Sequence, residues 1–142
     1  MSLNRDPNSA SSTDSDAPAT LPRTLLLVDD EKLLREIIAK VLRREGYLVL
    51  EAATSDAAID AASRSDRKPA LLISDMALPG ASGGLQLFAE LRKLNPELKA
   101  LFISGHSLEE VSQDTPLPKG TAFMEKPFEN DAFVNAVREI LR

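Results

Sequence analysis

The stretch Leu25-Leu26-Leu27-Val28-Asp29-Asp30-Glu31 decides the fold. Four aliphatic residues in a row read as a strand buried on both faces, the kind found inside parallel sheets. Two aspartates then mark its carboxyl end. Three later segments repeat the pattern. Leu71-Leu72-Ile73-Ser74 runs into Asp75, Leu101-Phe102-Ile103 into Ser104, and Thr121-Ala122-Phe123-Met124-Glu125 into Lys126-Pro127. If all four are strands of one parallel sheet, their carboxyl ends share one edge, where open α/β sheets place their sites. Three carboxylates, a hydroxyl and an ammonium then converge. Like charges so close are costly unless a divalent cation joins them, and such a cation makes one carboxylate able to accept a phosphoryl group.

The segments between these runs read as helices. Leu34, Ile37, Ile38, Val41 and Leu42 recur at helical spacing, a stripe that reads as core like the other Leu and Ile stripes of the chain, with Gly46 placed as the stop. Residues 47–50 read as a further strand. Alanine-rich residues 55–64 form a helix introduced by Thr54 or Ser55 as its cap. Pro69 precedes the buried strand 70–74. Leu87, Phe88, Leu91 and Leu94 mark a third helix closed by Asn95-Pro96. Strands follow at 99–104 and 120–125, and Phe133, Val137, Ile140 and Leu141 line a closing helix. Between residues 107 and 119, Pro116 and Pro118 break the pattern. That stretch predicts a short fourth helix over roughly 107–113, then an irregular loop. Strands alternating with helices over about 120 residues argue for a parallel sheet covered on both faces. The expected fold is α/β: a flavodoxin-like, doubly wound, five-stranded sheet in the order 2-1-3-4-5. Its switch point falls between the first and third strands, beside Asp29, Asp30 and Asp75.

Composition narrows the classes. A chain of 142 residues with 43% apolar residues can close one core without staples. With no cysteine there is no disulfide, thiolate metal site or cysteine nucleophile. Seventeen basic against 22 acidic residues give a net charge of −5, a poor footprint for nucleic acid. No run approaches the roughly 18 apolar residues of a membrane span, and the N-terminus lacks the apolar stretch of a secretory signal. A cytoplasmic protein is the expectation. Residues 1–22 hold five serines and Pro7, Pro18 and Pro22 without apolar periodicity. They read as a disordered tail or linker, leaving residues 23–142 as the folded domain.

From about residue 24 to 142 the chain resembles the receiver domain of bacterial two-component response regulators. It carries that family's ordered set: an acidic pair after the first strand (Asp29, Asp30), an aspartate after the third (Asp75), a hydroxyl after the fourth (Ser104) and Lys126-Pro127 after the fifth. Phe102-Ile103-Ser104-Gly105, with Lys126-Pro127-Phe128 further on, looks especially like receivers attached to hybrid sensor kinases. The resemblance implies that Asp75 is the phosphoacceptor, taking its phosphoryl group from a histidine kinase or a histidine phosphotransfer domain. It implies Mg2+ held directly by Asp30 and Asp75, partly through water by Asp29, and by the backbone carbonyl of Ala77. Ser104 and Lys126 would contact the phosphoryl oxygens, Phe123 takes the place of the switching aromatic residue, and Lys126-Pro127 matches a common cis position. A homodimer through the last strand and helix also falls within this expectation. Two departures stand out. Gly83 and Gly84 occur where the family usually has one glycine, which suggests a one-residue insertion in the preceding loop. Phe123 lacks the hydroxyl of the tyrosine many members carry, so any switch there works by packing.

The residues support the same chemistry without the family. Phosphoryl transfer is mainly positioning and charge neutralisation. Three carboxylates balance a divalent cation and one lysine in the arithmetic of charge. Lysine is a compact point charge on a flexible stem, and the Ser104 hydroxyl can rotate toward an arriving oxygen. Each residue also has a bland reading: Asp29-Asp30 as a helix cap, Asp75 as a turn residue, Lys126 as a solvated charge, His106 as a surface residue. A haloacid-dehalogenase-type phosphatase would use the same ingredients, but with its nucleophile after the first strand and a second aspartate two residues on. Here the aspartates adjoin and Glu31-Lys32 follow. A flavin-binding relative would need a phosphate loop that Asp29-Asp30-Glu31 would repel. The expectation is therefore a signalling switch and not a turnover enzyme, either a single-domain regulator or a receiver from a longer chain such as a hybrid kinase.

Overall fold

The computed structural model describes residues 22–77, 83–105 and 117–142. Five parallel strands form one sheet in the order β2-β1-β3-β4-β5. They are β1 (Thr24–Val28), β2 (Leu48–Ala52), β3 (Leu71–Asp75), β4 (Lys99–Ser104) and β5 (Thr121–Glu125). The helices among the described residues are α1 (Lys32–Arg44), α2 (Ser55–Arg64), α3 (Gly84–Leu94) and α4 (Asn130–Leu141). The short helix expected near 107–113 lies outside the described residues, as does the expected tail up to residue 21.

Alternation along the buried strands builds two cores. Leu25, Leu27, Leu71, Ile73, Leu101 and Ile103 point to the face covered by Ile38, Ala39 and Leu42 of α1 and by Phe133, Val137 and Leu141 of α4. Leu26, Val28, Leu72, Ala100 and Phe102 point to the other, covered by Ala58 of α2 and by Leu87, Phe88 and Leu91 of α3. Each fully buried Leu, Ile or Phe contributes about 1.5–3 kcal/mol. The sheet and its cores hold the site's frame rigid.

Local signals explain the element ends. Gly46, at φ 97°, closes α1: its N–H donates to Arg43 O at 3.1 Å and the Tyr47 N–H to Leu42 O at 3.3 Å, a Schellman motif. That bond takes Tyr47 out of the strand expected at 47–50, so β2 starts one residue later. Thr54 caps α2, its Oγ1 accepting from the Ala57 N–H at 3.1 Å. Asn95 ends α3 and donates from Nδ2 to Pro69 O at 2.9 Å, tying two loops. One sequence reading needs correction. Ile37 is 57% exposed, and Leu94 is 45% exposed at the end of α3. Both stripes are narrower than the apolar pattern suggests, because the sheet covers only Ile38, Ala39 and Leu42 of α1 closely.

Candidate phosphoacceptor site

The carboxyl ends of β1, β3, β4 and β5 lie side by side. Val28 pairs with Ser74, Asp75 with Ile103, and Ser104 with Glu125 in the parallel register. Past the strand ends the ladder continues: the Met76 N–H donates to Ile103 O at 2.9 Å and the Lys126 N–H to Ser104 O at 2.7 Å. These bonds carry Asp75 and Lys126 to one place. Lys126 Nζ donates to Asp75 Oδ2 at 2.9 Å, while Asp75 Oδ1 accepts the Ala77 N–H at 3.0 Å. The peptide bond between Lys126 and Pro127 is cis, as the resemblance implied.

Asp29 is almost sealed, at 3% exposure, whereas Asp30 is exposed. Asp29 Oδ1 accepts the Glu31 N–H at 2.8 Å, so part of the bland capping role is real. The helix itself starts later, with Glu31 at its N-cap. Burial raises the Asp29 carboxyl above its ordinary pKa; the Glu31 N–H and Lys126 oppose this, and the Asp75 and Glu31 charges add to it. Burial also works against the charged Lys126, but the hydrogen bond and charge of Asp75, with Asp29 and Glu31 behind them, outweigh it and hold its pKa above the usual lysine range. Lys126 is therefore charged at neutral pH.

Ser104 is buried at 3% exposure at the end of β4, and Gly105 beyond it is exposed. Phe123 lies opposite Phe102 in the β4–β5 register and packs, half-buried, against the α2–α3 core. Phe128, just past the cis bond, stacks on Phe133 with centroids 5.3 Å apart. Gly84 owes its place to a close approach. A Cβ there would lie 2.7 Å from the Asp75 carbonyl oxygen and 3.3 Å from Phe102 Cδ1. The sequence marked the Gly83-Gly84 pair as an insertion and missed this contact; residues 78–82 of that loop lie outside the described residues. His106 does too. Two further residues went unnoticed. Glu31 Oε1 is 3.8 Å from Lys126 Nζ, and Arg35 reaches the acidic pair's backbone.

Residues 25–138 match the response regulator receiver domain family. The chain belongs to that family. It is a phosphoacceptor receiver of two-component signalling, and nothing in the match favours the phosphatase alternative. Receivers take their phosphoryl groups from histidine kinases and generally use magnesium. The sensor kinase CckA of Brucella abortus (strain 2308) is 31% identical over 118 residues, which are 83% of this chain and 12% of that protein. The response regulator receiver protein CpdR of the same organism is 28% identical over 120 residues, 84% of this chain and 97% of that one. TcrX, a probable transcriptional regulatory protein of Mycobacterium tuberculosis (strain ATCC 25618 / H37Rv), is 34% identical over 85% of this chain and 50% of its own length. The chain thus spans a small part of the kinase and half of the regulator. Among solved structures, the receiver domain of the hybrid histidine kinase CckA aligns with a TM-score of 0.68 and 32% identity over 84% of this receiver and 99% of that chain. A receiver protein from Sinorhizobium medicae WSM419 aligns with a TM-score of 0.74 and 26% identity, over 84% and 94% of the two chains.

Among the described residues, no three carboxylate or imidazole side chains stand close enough together to hold a metal as they are. The cation at the Asp75 carboxylate is the Lys126 ammonium. The donor set nevertheless fits magnesium in kind, being hard oxygens without sulfur. Asp29, buried and pushed toward protonation, is a carboxylate short of positive charge. No helix among the described residues is long and apolar enough to cross a membrane.

Proposed function

We propose that Asp75 is the residue this receiver phosphorylates, with Asp29, Asp30, Asp75 and the Ala77 carbonyl holding magnesium and with Lys126 and Ser104 receiving the phosphoryl oxygens. One observation carries the reading: the Asp75 carboxylate meets the Lys126 ammonium at 2.9 Å at the sheet edge where buried Asp29 also ends its strand. In the reaction, a carboxylate oxygen of Asp75 attacks the phosphorus of a phosphohistidine. The O–P bond forms, the P–N bond breaks, and the histidine leaves with the electron pair and takes up a proton. Magnesium held by these residues would supply two positive charges toward the phosphoryl oxygens. Lys126 supplies another from the far strand, and to do so its ammonium exchanges Asp75 Oδ2 for a phosphoryl oxygen. Ala77 keeps the other carboxylate oxygen oriented through its N–H. Hydrolysis of the acyl phosphate by water returns Asp75 to its starting state, so the protein acts as a self-resetting switch and not a turnover enzyme.

A cytoplasmic location suits a partner that carries phosphohistidine, and the partner is a histidine kinase or a phosphotransfer domain. Residues 23–142 make up the receiver unit of the proposal, and a second copy meeting β5 and α4 belongs to the same reading. The test uses acetyl phosphate with and without Mg2+, followed by intact mass. One phosphoryl group is expected on the parent with Mg2+ and none on Asp75→Asn. Equal labelling of that variant would refute the assignment.

A further inference from the structure

Arg35 lies on α1, and its side chain is 15% exposed. Its Nη1 donates to the Asp29 carbonyl oxygen at 2.7 Å, and its Nε donates to Glu51 Oε1 on β2 at 3.3 Å. Glu51 is held in turn by Arg43, whose Nη1 is 3.1 Å from Oε2 and whose Nη2 donates to Val49 O at 3.0 Å. The Asp29 N–H donates to Ala52 O at 3.1 Å. The backbone of Asp29 is therefore gripped at both ends, and its side chain is held by the Glu31 N–H. The carbonyl that Arg35 grips belongs to the peptide joining Asp29 to Asp30. Fixing that peptide plane fixes where the Asp30 N and Cα stand, the base from which its carboxylate reaches the site.

We infer that Arg35 is a positioning residue for the magnesium site: its guanidinium, braced by Glu51, locks the Asp29–Asp30 peptide so that the backbone carrying both ligand residues is fixed before a cation arrives. This deepens the reading above and rests on its assignment of Asp29 and Asp30 as metal ligands. A guanidinium suits the task because its planar fork serves a carbonyl and a carboxylate at once in a fixed geometry. Glu51 also offsets the positive charge that Arg35 brings near a cation site, which leaves the residue a geometric role.

Charge and geometry make opposite claims, and this allows a clean test. By charge alone, removing a guanidinium beside a cation site would tighten Mg2+ binding. Positioning requires it to weaken. Outer-shell partners of metal ligands are typically worth about 10–100-fold in affinity. The experiment titrates Mg2+ into metal-free protein and follows the Asp30 and Glu31 amide resonances, with thermal melts in EDTA recorded in parallel. Arg35→Met is expected to bind Mg2+ about tenfold or more weakly, and Arg35→Lys, which keeps the charge without the fork, about threefold or more weakly. Arg64→Gln removes a guanidinium on α2 that is paired with Asp60 and touches neither Asp29 nor Glu51, and it is expected to stay within about threefold of the parent. If Arg35→Met proves unfolded in EDTA, Arg35→Lys decides. Unchanged or tighter Mg2+ binding by the Arg35 variants overturns the inference, as does equal weakening by Arg64→Gln. A parent that binds no Mg2+ overturns the metal assignment itself, a distinguishable result.

Discussion

Asp29 shows at the residue scale how a site costs stability. Burial raises its carboxyl pKa above the ordinary carboxylate value. A carboxyl in that position binds protons more tightly in the folded state. Its contribution to stability is greatest below about pH 4, falls as pH rises through the raised folded pKa, and stays lowered at neutrality. Asp29→Asn keeps an oxygen for the Glu31 N–H and removes the charge. In EDTA at pH 7 the variant is expected to melt roughly 2–6 °C above the parent, with the gap closing toward pH 4. Saturating Mg2+ should reverse the order, since the parent gains more from ligand binding. Melts across pH in EDTA and in Mg2+ check both halves, and a parent that outlasts the variant without metal would contradict the account. Lys126 follows the same sign in a different pH window. Its raised pKa contributes stability that is fully present at neutral pH and is lost only as pH climbs through its raised folded value.

Elements set where such residues stand, and here the sequence was legible to different depths. The strands could be read because apolar runs end abruptly in Asp29, Asp75, Ser104 and Lys126, and a run buried on both sides leaves few alternatives. β2 slipped by one residue because Tyr47 spends its N–H on Leu42 O, a use that its β propensity does not reveal. Ile37 read as core because periodicity records spacing and not how much of a helix its neighbour covers. Arg35 was missed because an arginine on a helix looks like a solvated charge; its partner, a main-chain carbonyl, has no signature in sequence. Gly84 was noted only as half of a glycine pair, since its close approach to Asp75 O depends on how α3 is seated. Gly84→Ala is expected to destabilise the protein by about 1–3 kcal/mol, because a Cβ would lie 2.7 Å from that carbonyl oxygen. The added methyl also displaces the backbone of the acceptor. Urea unfolding and acetyl phosphate labelling should therefore both register the change, and a variant with parental values in both would show that α3 can shift freely.

Across the whole molecule, the two halves of the site are joined through Lys126. Its ammonium faces Asp75, and its backbone N–H is bonded to Ser104 O. From there β5 leads to Phe123, and Phe128 leads into α4 through Phe133. Lys99 Nζ, 2.9 Å from Ile140 O, and the Arg138–Glu45 ion pair fasten α4 to β4 and α1. Lys126→Ala is expected to keep phosphorylation at a reduced rate while losing much of the conformational response, because differential contacts are what move a two-state equilibrium. Amide shifts around Phe123, compared at equal phosphorylation, measure this; a full response in the variant would move the link to Ser104 alone. The strand order carries one more consequence, and it concerns time. The acidic pair is translated near residue 30 and its lysine at residue 126. At about 5–20 residues per second, roughly 5–20 s of synthesis separate them. Throughout that interval the nascent chain holds the acidic pair without Lys126 to meet it. The site's full set of charges is thus complete only once β5 has been made, and a kinase that meets a ribosome-bound fragment ending short of β5 finds an acceptor still lacking its counter-charge.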